Sequence, residues 1–95
     1  MGEWTFLTRH AVTLAIIAQN PRITALELAG ELGMTERAVR KLIAELHEAG
    51  YIKKKREGRR VRYSVNPNKP LRQKIHEEIV VGRLLEALGW KHYKG

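Results

Sequence analysis

Three cations, Arg37, Arg40 and Lys41, recur at the spacing of one helix face. Seven more, Lys53, Lys54, Lys55, Arg56, Arg59, Arg60 and Arg62, crowd a short stretch that contains a single acid, Glu57. Side chains of these types bind anions. A guanidinium makes paired hydrogen bonds to phosphate, carboxylate or the O6/N7 edge of guanine, and an ammonium neutralises phosphate as a point charge. The whole chain has 18 Lys and Arg against 10 acids, all of them Glu, for a formal charge of +8. That balance points to a polyanionic partner, either nucleic acid or an anionic membrane surface. Residues 51–65 alone carry seven cations and one acid, or +6, so the excess is local. A membrane-surface reading would want this charge beside an exposed apolar stripe, and it loses ground.

Other chemistry has little to work with. There is no cysteine, hence no disulfide framework, thiolate metal site or thiol nucleophile. His10, His47, His76 and His92 form no pair at the i, i+4 spacing a helical metal site needs, leaving only a site shared between copies, so no metal and no cofactor are expected. With no Asp, a lone Ser64 and no glycine-rich phosphate loop, nucleophilic catalysis lacks its parts, and the chain is not expected to be an enzyme. Its 95 residues make one small domain with a modest core, too small for a deep catalytic cleft. The densest apolar stretch, Ala11 to Ala18, is interrupted by Thr13 and is too short to span a bilayer. Met1 to Thr8 contain Glu3 and lack the basic start and apolar stretch of a signal peptide. A cytoplasmic protein with no membrane partner is expected.

The elements that must position the cations can be read in order. Thr8 predicts the N-cap of a helix from Arg9 to Asn20, stopped by Pro21. Ala11, Val12, Leu14, Ala15, Ile16, Ile17 and Ala18 cover most of its circumference, with a polar strip through Arg9 and Thr13, so it asks for cover on more than one side. Arg22-Ile23 can form a short strand. Thr24-x-x-Glu27 is a capping box, followed by apolar Leu26, Leu28, Ala29 and Leu32 and by Gly33 at the left-handed position. Thr35 caps a third helix, with Glu36 in its first turn. Val39, Leu42, Ile43, Leu46 and Ala49 share one face, and Arg37, Arg40, Lys41, Ala44 and Glu48 lie opposite. Only Gly33-Met34 separates the second helix from the cap of the third, which is helix-turn-helix spacing.

A hairpin follows, opened by Ile52 and turning at Glu57-Gly58-Arg59. In its second strand Val61, Tyr63 and Val65 alternate with Arg60, Arg62 and Ser64. Asn66-Pro67-Asn68-Lys69-Pro70 breaks the chain, and Pro70 suits the first position of a last helix from Leu71 to Leu88, ended by Gly89. Leu71, Ile75, Ile79, Val81, Gly82, Leu84, Leu85 and Leu88 give that helix a wide apolar face.

Helix, short strand, helix, turn, helix and basic hairpin is the order of a winged helix-turn-helix. Leu42-x-x-x-Leu46-x-x-x-Gly50-Tyr51-Ile52, then Gly58-Arg59 and Tyr63-x-Val65, resembles the recognition-helix-to-wing pattern of MarR- and ArsR-like bacterial and archaeal transcription regulators. The resemblance covers about Thr8 to Val65. It implies a homodimeric repressor or activator with the third helix in the DNA major groove and the wing on backbone or minor groove. The chain is shorter than a typical MarR protein and lacks the cysteine metal box of many ArsR-like sensors, so subfamily and any small-molecule effector stay open.

The expected fold is mainly α, of α+β class. Residues 1–66 would form a winged helix-turn-helix DNA-binding domain, and residues 67–95 a C-terminal dimerisation helix. The expected DNA-binding residues are Thr35, Glu36, Arg37, Arg40 and Lys41 on the recognition helix and Lys54, Arg56, Arg59, Arg60 and Arg62 on the wing. Thr35 is suited to a phosphate and Glu36 to a cytosine amine. Arg can pair with guanine, and Arg59 or Arg60 can enter a narrow minor groove. The expected dimer interface takes Trp4, Phe6, Leu7, Ile79, Leu84, Leu85, Leu88 and Trp90 beside the first helix, with Tyr93 close by. The alternative is that the last helix folds back onto the first helix of the same chain. The aromatic cluster could also line an effector pocket. Two other functions compete: a winged-helix protein-interaction module, which would want an acidic or apolar recognition face, and a non-specific nucleic-acid binder, which would want aromatic platforms.

Overall fold

Threonine hydroxyls start the first three helices. In the computed structural model, which describes residues 4–72, 76 and 78–91, Thr8 accepts from the Ala11 amide, Thr24 from Glu27 and Thr35 from Ala38. These caps satisfy amides that have no partner within the helix. They open α1 (Arg9–Gln19), α2 (Ala25–Leu32) and α3 (Glu36–Glu48). At α2 the capping box is complete, because the Glu27 carboxylate also accepts from the Thr24 amide at 2.9 Å. Gly33 closes α2 with φ 64°, a left-handed conformation that a side chain would strain.

The wing is a two-stranded antiparallel sheet, β1 (Ile52–Glu57) and β2 (Arg60–Val65). Its register pairs Ile52 with Val65, Lys54 with Tyr63 and Glu57 with Arg60, leaving Gly58-Arg59 as a two-residue loop. Gly58 has φ 62° and Arg59 does not have positive φ, as a II′ turn requires.

The core sits where α1, α2, α3 and the base of the wing meet. Leu14, Ile17, Leu28, Val39, Ile43, Leu46, Tyr51 and Ile52 are buried there. The face of α3 bearing Val39, Leu42, Ile43 and Leu46 points inward, so its cationic face must point out.

Several expectations change. Arg22-Ile23 forms no strand; among the described residues one backbone–backbone bond, from the Tyr63 amide to the Pro21 carbonyl at 2.8 Å, joins this turn to the edge of β2. Ile23 is buried instead, an anchor rather than a ladder residue. Thr13 is not on a polar strip but fully buried, because α1 packs against α2, α3, β2 and a fourth helix and keeps little free circumference. Leu26 faces solvent rather than the core.

The last helix, α4 (Val81–Ala87), is much shorter than Leu71–Leu88. Pro70 is not its first residue. Instead the Leu71 amide bonds to the Ile79 carbonyl at 2.8 Å and the Val81 amide to the Lys69 carbonyl at 2.7 Å, a bridge between Pro70 and Val80 that brings the chain back on itself. Ile79 and Val80 are β-branched residues, which favour this extended backbone over a helix up to the start of α4. Ile75, His92 and Tyr93 lie outside the described residues. α4 packs on α1 of its own chain, and Leu85 is fully buried there. Leu85, expected at a dimer interface, is therefore a core residue, and Trp90 also packs against that core.

Candidate nucleic-acid interface

Burial of one face of α3 leaves Arg37, Arg40 and Lys41 exposed near its capped N-terminus. Arg40 does not wave freely. Its Nε and Nη2 donate to a single Glu36 oxygen, at 3.1 and 2.6 Å. Glu36, assigned above to a cytosine amine, thus orients the neighbouring guanidinium, one helical turn on. The Thr35 oxygen accepts from the helix, which leaves its hydroxyl proton to donate outward.

Cross-strand partners share a face of the hairpin. Lys54 therefore stands beside Tyr63, and Arg56 beside Val61, on the face that carries buried Ile52. Burial pushes the Tyr63 phenol above its ordinary range, and the nearby Arg40 charge opposes this more weakly. Tyr63 is opposite Lys54 in the sheet. Lys53, Lys55, Glu57, Arg60 and Arg62 take the other face.

The wing arginines divide in the same way. Arg59 lies at the tip. Arg60 reaches back, its Nη1 donating to the Arg22 carbonyl at 3.1 Å. Arg62 lies 3.9 Å from Glu57 Oε2. Of the ten expected DNA-binding residues, Arg37, Lys41, Lys54, Arg56 and Arg59 make no side-chain hydrogen bond or ion pair among the described residues. These five cations and the Glu36-held Arg40 are exposed groups able to meet phosphates and to offer guanidinium groups to base edges.

Arg22 was not among the expected residues. It grips Glu57 Oε1 through Nε at 3.2 Å and Nη2 at 2.7 Å. Nothing in local spacing signals this, since the partners are 35 positions apart.

Away from this surface, Trp4 and Phe6 are 74% and 91% exposed and meet edge-to-face at 5.0 Å. Beside them Leu7, Val12, Leu32 and Met34 line an open groove of about 400 Å³. Among the described residues no cluster of His, Cys, Asp or Glu could hold a metal ion, and no helix is long and apolar enough to cross a membrane.

Residues 13–53 match the family model for a winged helix-turn-helix DNA-binding domain. Two solved structures share the fold. One is a MarR protein from Peptoclostridium difficile, 22% identical, with TM-score 0.60, the match covering 83% of this chain and 46% of that one. The other is MepR, a transcription regulator of the Staphylococcus aureus multidrug efflux pump MepA, 17% identical, with TM-score 0.55, covering 87% of this chain and 61% of that one. The chain thus spans about half to three-fifths of the length of these structures. No curated protein matches it in sequence.

Proposed function

We propose that this winged helix-turn-helix chain is a sequence-specific, double-stranded-DNA-binding transcription regulator that acts in the cytoplasm as a homodimer. α3 enters the major groove with Arg37, Arg40 and Lys41 toward the bases, Thr35 toward a phosphate and Glu36 holding Arg40. The wing lies along backbone and minor groove, with Lys54 and Arg56 on phosphates and Arg59 at the tip. Arg60 and Arg62 add field strength from the far face.

The observation that carries this reading is the exposure of cations on both the outward face of α3 and the wing. Arg37, Arg40 and Lys41 are exposed on α3 and Lys54, Arg56 and Arg59 on the wing, and the one wing acid is paired with Arg22. A protein-interaction face would not concentrate like charges in this way, and the tyrosines of the hairpin are buried or half-buried rather than offered as stacking platforms. The family match over residues 13–53, which ends inside β1, supports the same reading for the helical part.

Pairing of two copies falls to the apolar groups outside the core: Trp4, Phe6, Leu7, Ile79, Leu84, Leu88 and the outer side of Trp90. Large exposed aromatic groups such as Phe6 are costly to leave in water and mark an interaction surface. Residues 67–95 would contribute to that interface, and residues 1–66 would hold the DNA-binding unit.

The test is a titration of labelled duplex DNA with increasing heparin at moderate salt. A specific reader retains its preferred duplex against a heparin excess that strips random duplex. Equal loss of both would overturn the proposal.

A further inference from the structure

We infer that Arg22 is a positioning residue for DNA binding: it locks the wing to the turn between α1 and α2, so that Arg59 and α3 meet the duplex as one rigid unit. The inference rests on the DNA-binding reading above and assigns a role to a residue outside the helix and wing.

Four contacts join residues 21–22 to the wing. Arg22 Nε and Nη2 hold one Glu57 oxygen, at 3.2 and 2.7 Å. The Arg60 guanidinium donates to the Arg22 carbonyl at 3.1 Å, and the Tyr63 amide to the Pro21 carbonyl at 2.8 Å. The lock is placed where it is needed. Ile52 anchors the base of the hairpin in the core, but Lys53 to Arg56 are exposed, and a two-stranded ribbon is marginal on its own. Glu57 is the last residue before the Gly58-Arg59 loop, so Arg22 holds the far end of the ribbon.

The contact also acts on charge. Glu57 is the only acid between Tyr51 and Val65. Left unpaired near the wing tip, it would repel phosphate. Arg22 on one of its oxygens and Arg62 near the other cancel that repulsion. Lysine at position 22 would preserve the charge but not the two-point grip, because an ammonium lacks the planar fork of a guanidinium. Charge and position can therefore be separated.

The experiment uses the full chain and three variants, Arg22→Ala, Arg22→Lys and the exchange Arg22→Glu with Glu57→Arg. Backbone ¹⁵N relaxation at Gly58 and Arg59 is measured without DNA, together with thermal unfolding, affinity for a selected duplex and its cleavage footprint. Arg22→Ala is expected to raise tip mobility, to weaken binding about fivefold and to lose footprint protection at the wing while keeping that at α3. Its melting temperature should barely move, since Arg22 is largely exposed. Arg22→Lys should keep the mobile tip and most of the affinity loss, and the exchange variant should restore tip order. Unchanged tip relaxation in Arg22→Ala, or wild-type affinity in Arg22→Lys, would overturn the lock. Failure of the wild-type chain to bind any duplex would instead overturn the DNA-binding reading, whatever the tip does.

Discussion

The Arg40 guanidinium is held by Glu36 through two donors on one carboxylate oxygen, at 3.1 and 2.6 Å. An i, i+4 pair on an exposed helix adds only a few tenths of a kcal/mol to stability. Its consequence lies in orientation: under the proposed reading, a guanidinium fixed along α3 would enter the groove in few conformations. Ordering it beforehand reduces the entropy lost when it meets a base.

Arg40→Ala is therefore expected to relax sequence preference at one position of the site, by about 1–3 kcal/mol of discrimination. Anisotropy titrations against a panel of duplexes, each changed at one base pair, would show a flattened response at that position alone. Glu36→Gln should flatten the same position to a lesser degree, because the arm remains but its restraint is weakened. An effect spread evenly over all positions would mean that Arg40 contacts only phosphate.

Lys54 lies beside Tyr63 and makes no ion pair among the described residues, so it is free to neutralise a phosphate. Lys54→Ala should weaken binding to all duplexes alike. The slope of log K against log salt should fall by about one, as one fewer counterion is released. A sequence-dependent loss with an unchanged slope would place Lys54 on a base edge instead.

Burial holds the phenols of Tyr51 and Tyr63 above their ordinary range, and both stay neutral in the folded chain after the unfolded chain has begun to ionise. The unfolded state then binds fewer protons than the folded one, so stability must fall as pH rises past about 10. Urea unfolding between pH 9 and 11.5 should show a declining midpoint, and Tyr63→Phe should make the decline shallower. Phenolate absorbance that rises at the ordinary pH, with no loss of stability, would contradict the burial of these rings. The Tyr51 hydroxyl also donates to the Pro70 carbonyl, which ties the start of the wing to the loop that follows it.

Thr13 is fully buried and its hydroxyl has no hydrogen-bond partner among the described residues. Burying an unpaired hydroxyl costs about 1–3 kcal/mol, and valine has nearly the same shape. Thr13→Val is expected to stabilise the chain by about 1 kcal/mol in chemical denaturation. Destabilisation would show that the hydroxyl has a partner.

Local chemistry was readable from sequence wherever cause and effect lie within one turn of chain. Thr8, Thr24 with Glu27, Gly33, Thr35 and Gly58 mark element ends through their own caps and dihedral angles. The inward face of α3 followed from spacing alone, and with it the outward direction of Arg37, Arg40 and Lys41. Long-range effects were not readable. Arg22 meets Glu57 only because β2 docks against the turn after α1. Thr13 occupies a helical position that periodicity assigns to solvent and tertiary packing covers. Leu71, Ile79 and Leu85 fit a helical stripe, but the backbone amides of Leu71 and Val81 bond across a loop, a competition between local and distant partners that side-chain spacing does not record.

The central claim is that α3 and the wing read a particular duplex sequence. Selection of bound sequences from a random duplex pool tests it most directly. The expected result is one enriched motif built of two related half-sites, about 34 Å apart from centre to centre, as two copies of α3 in successive major-groove turns require. A pool that stays random after repeated rounds, while the protein still binds DNA at low salt, would contradict sequence-specific recognition.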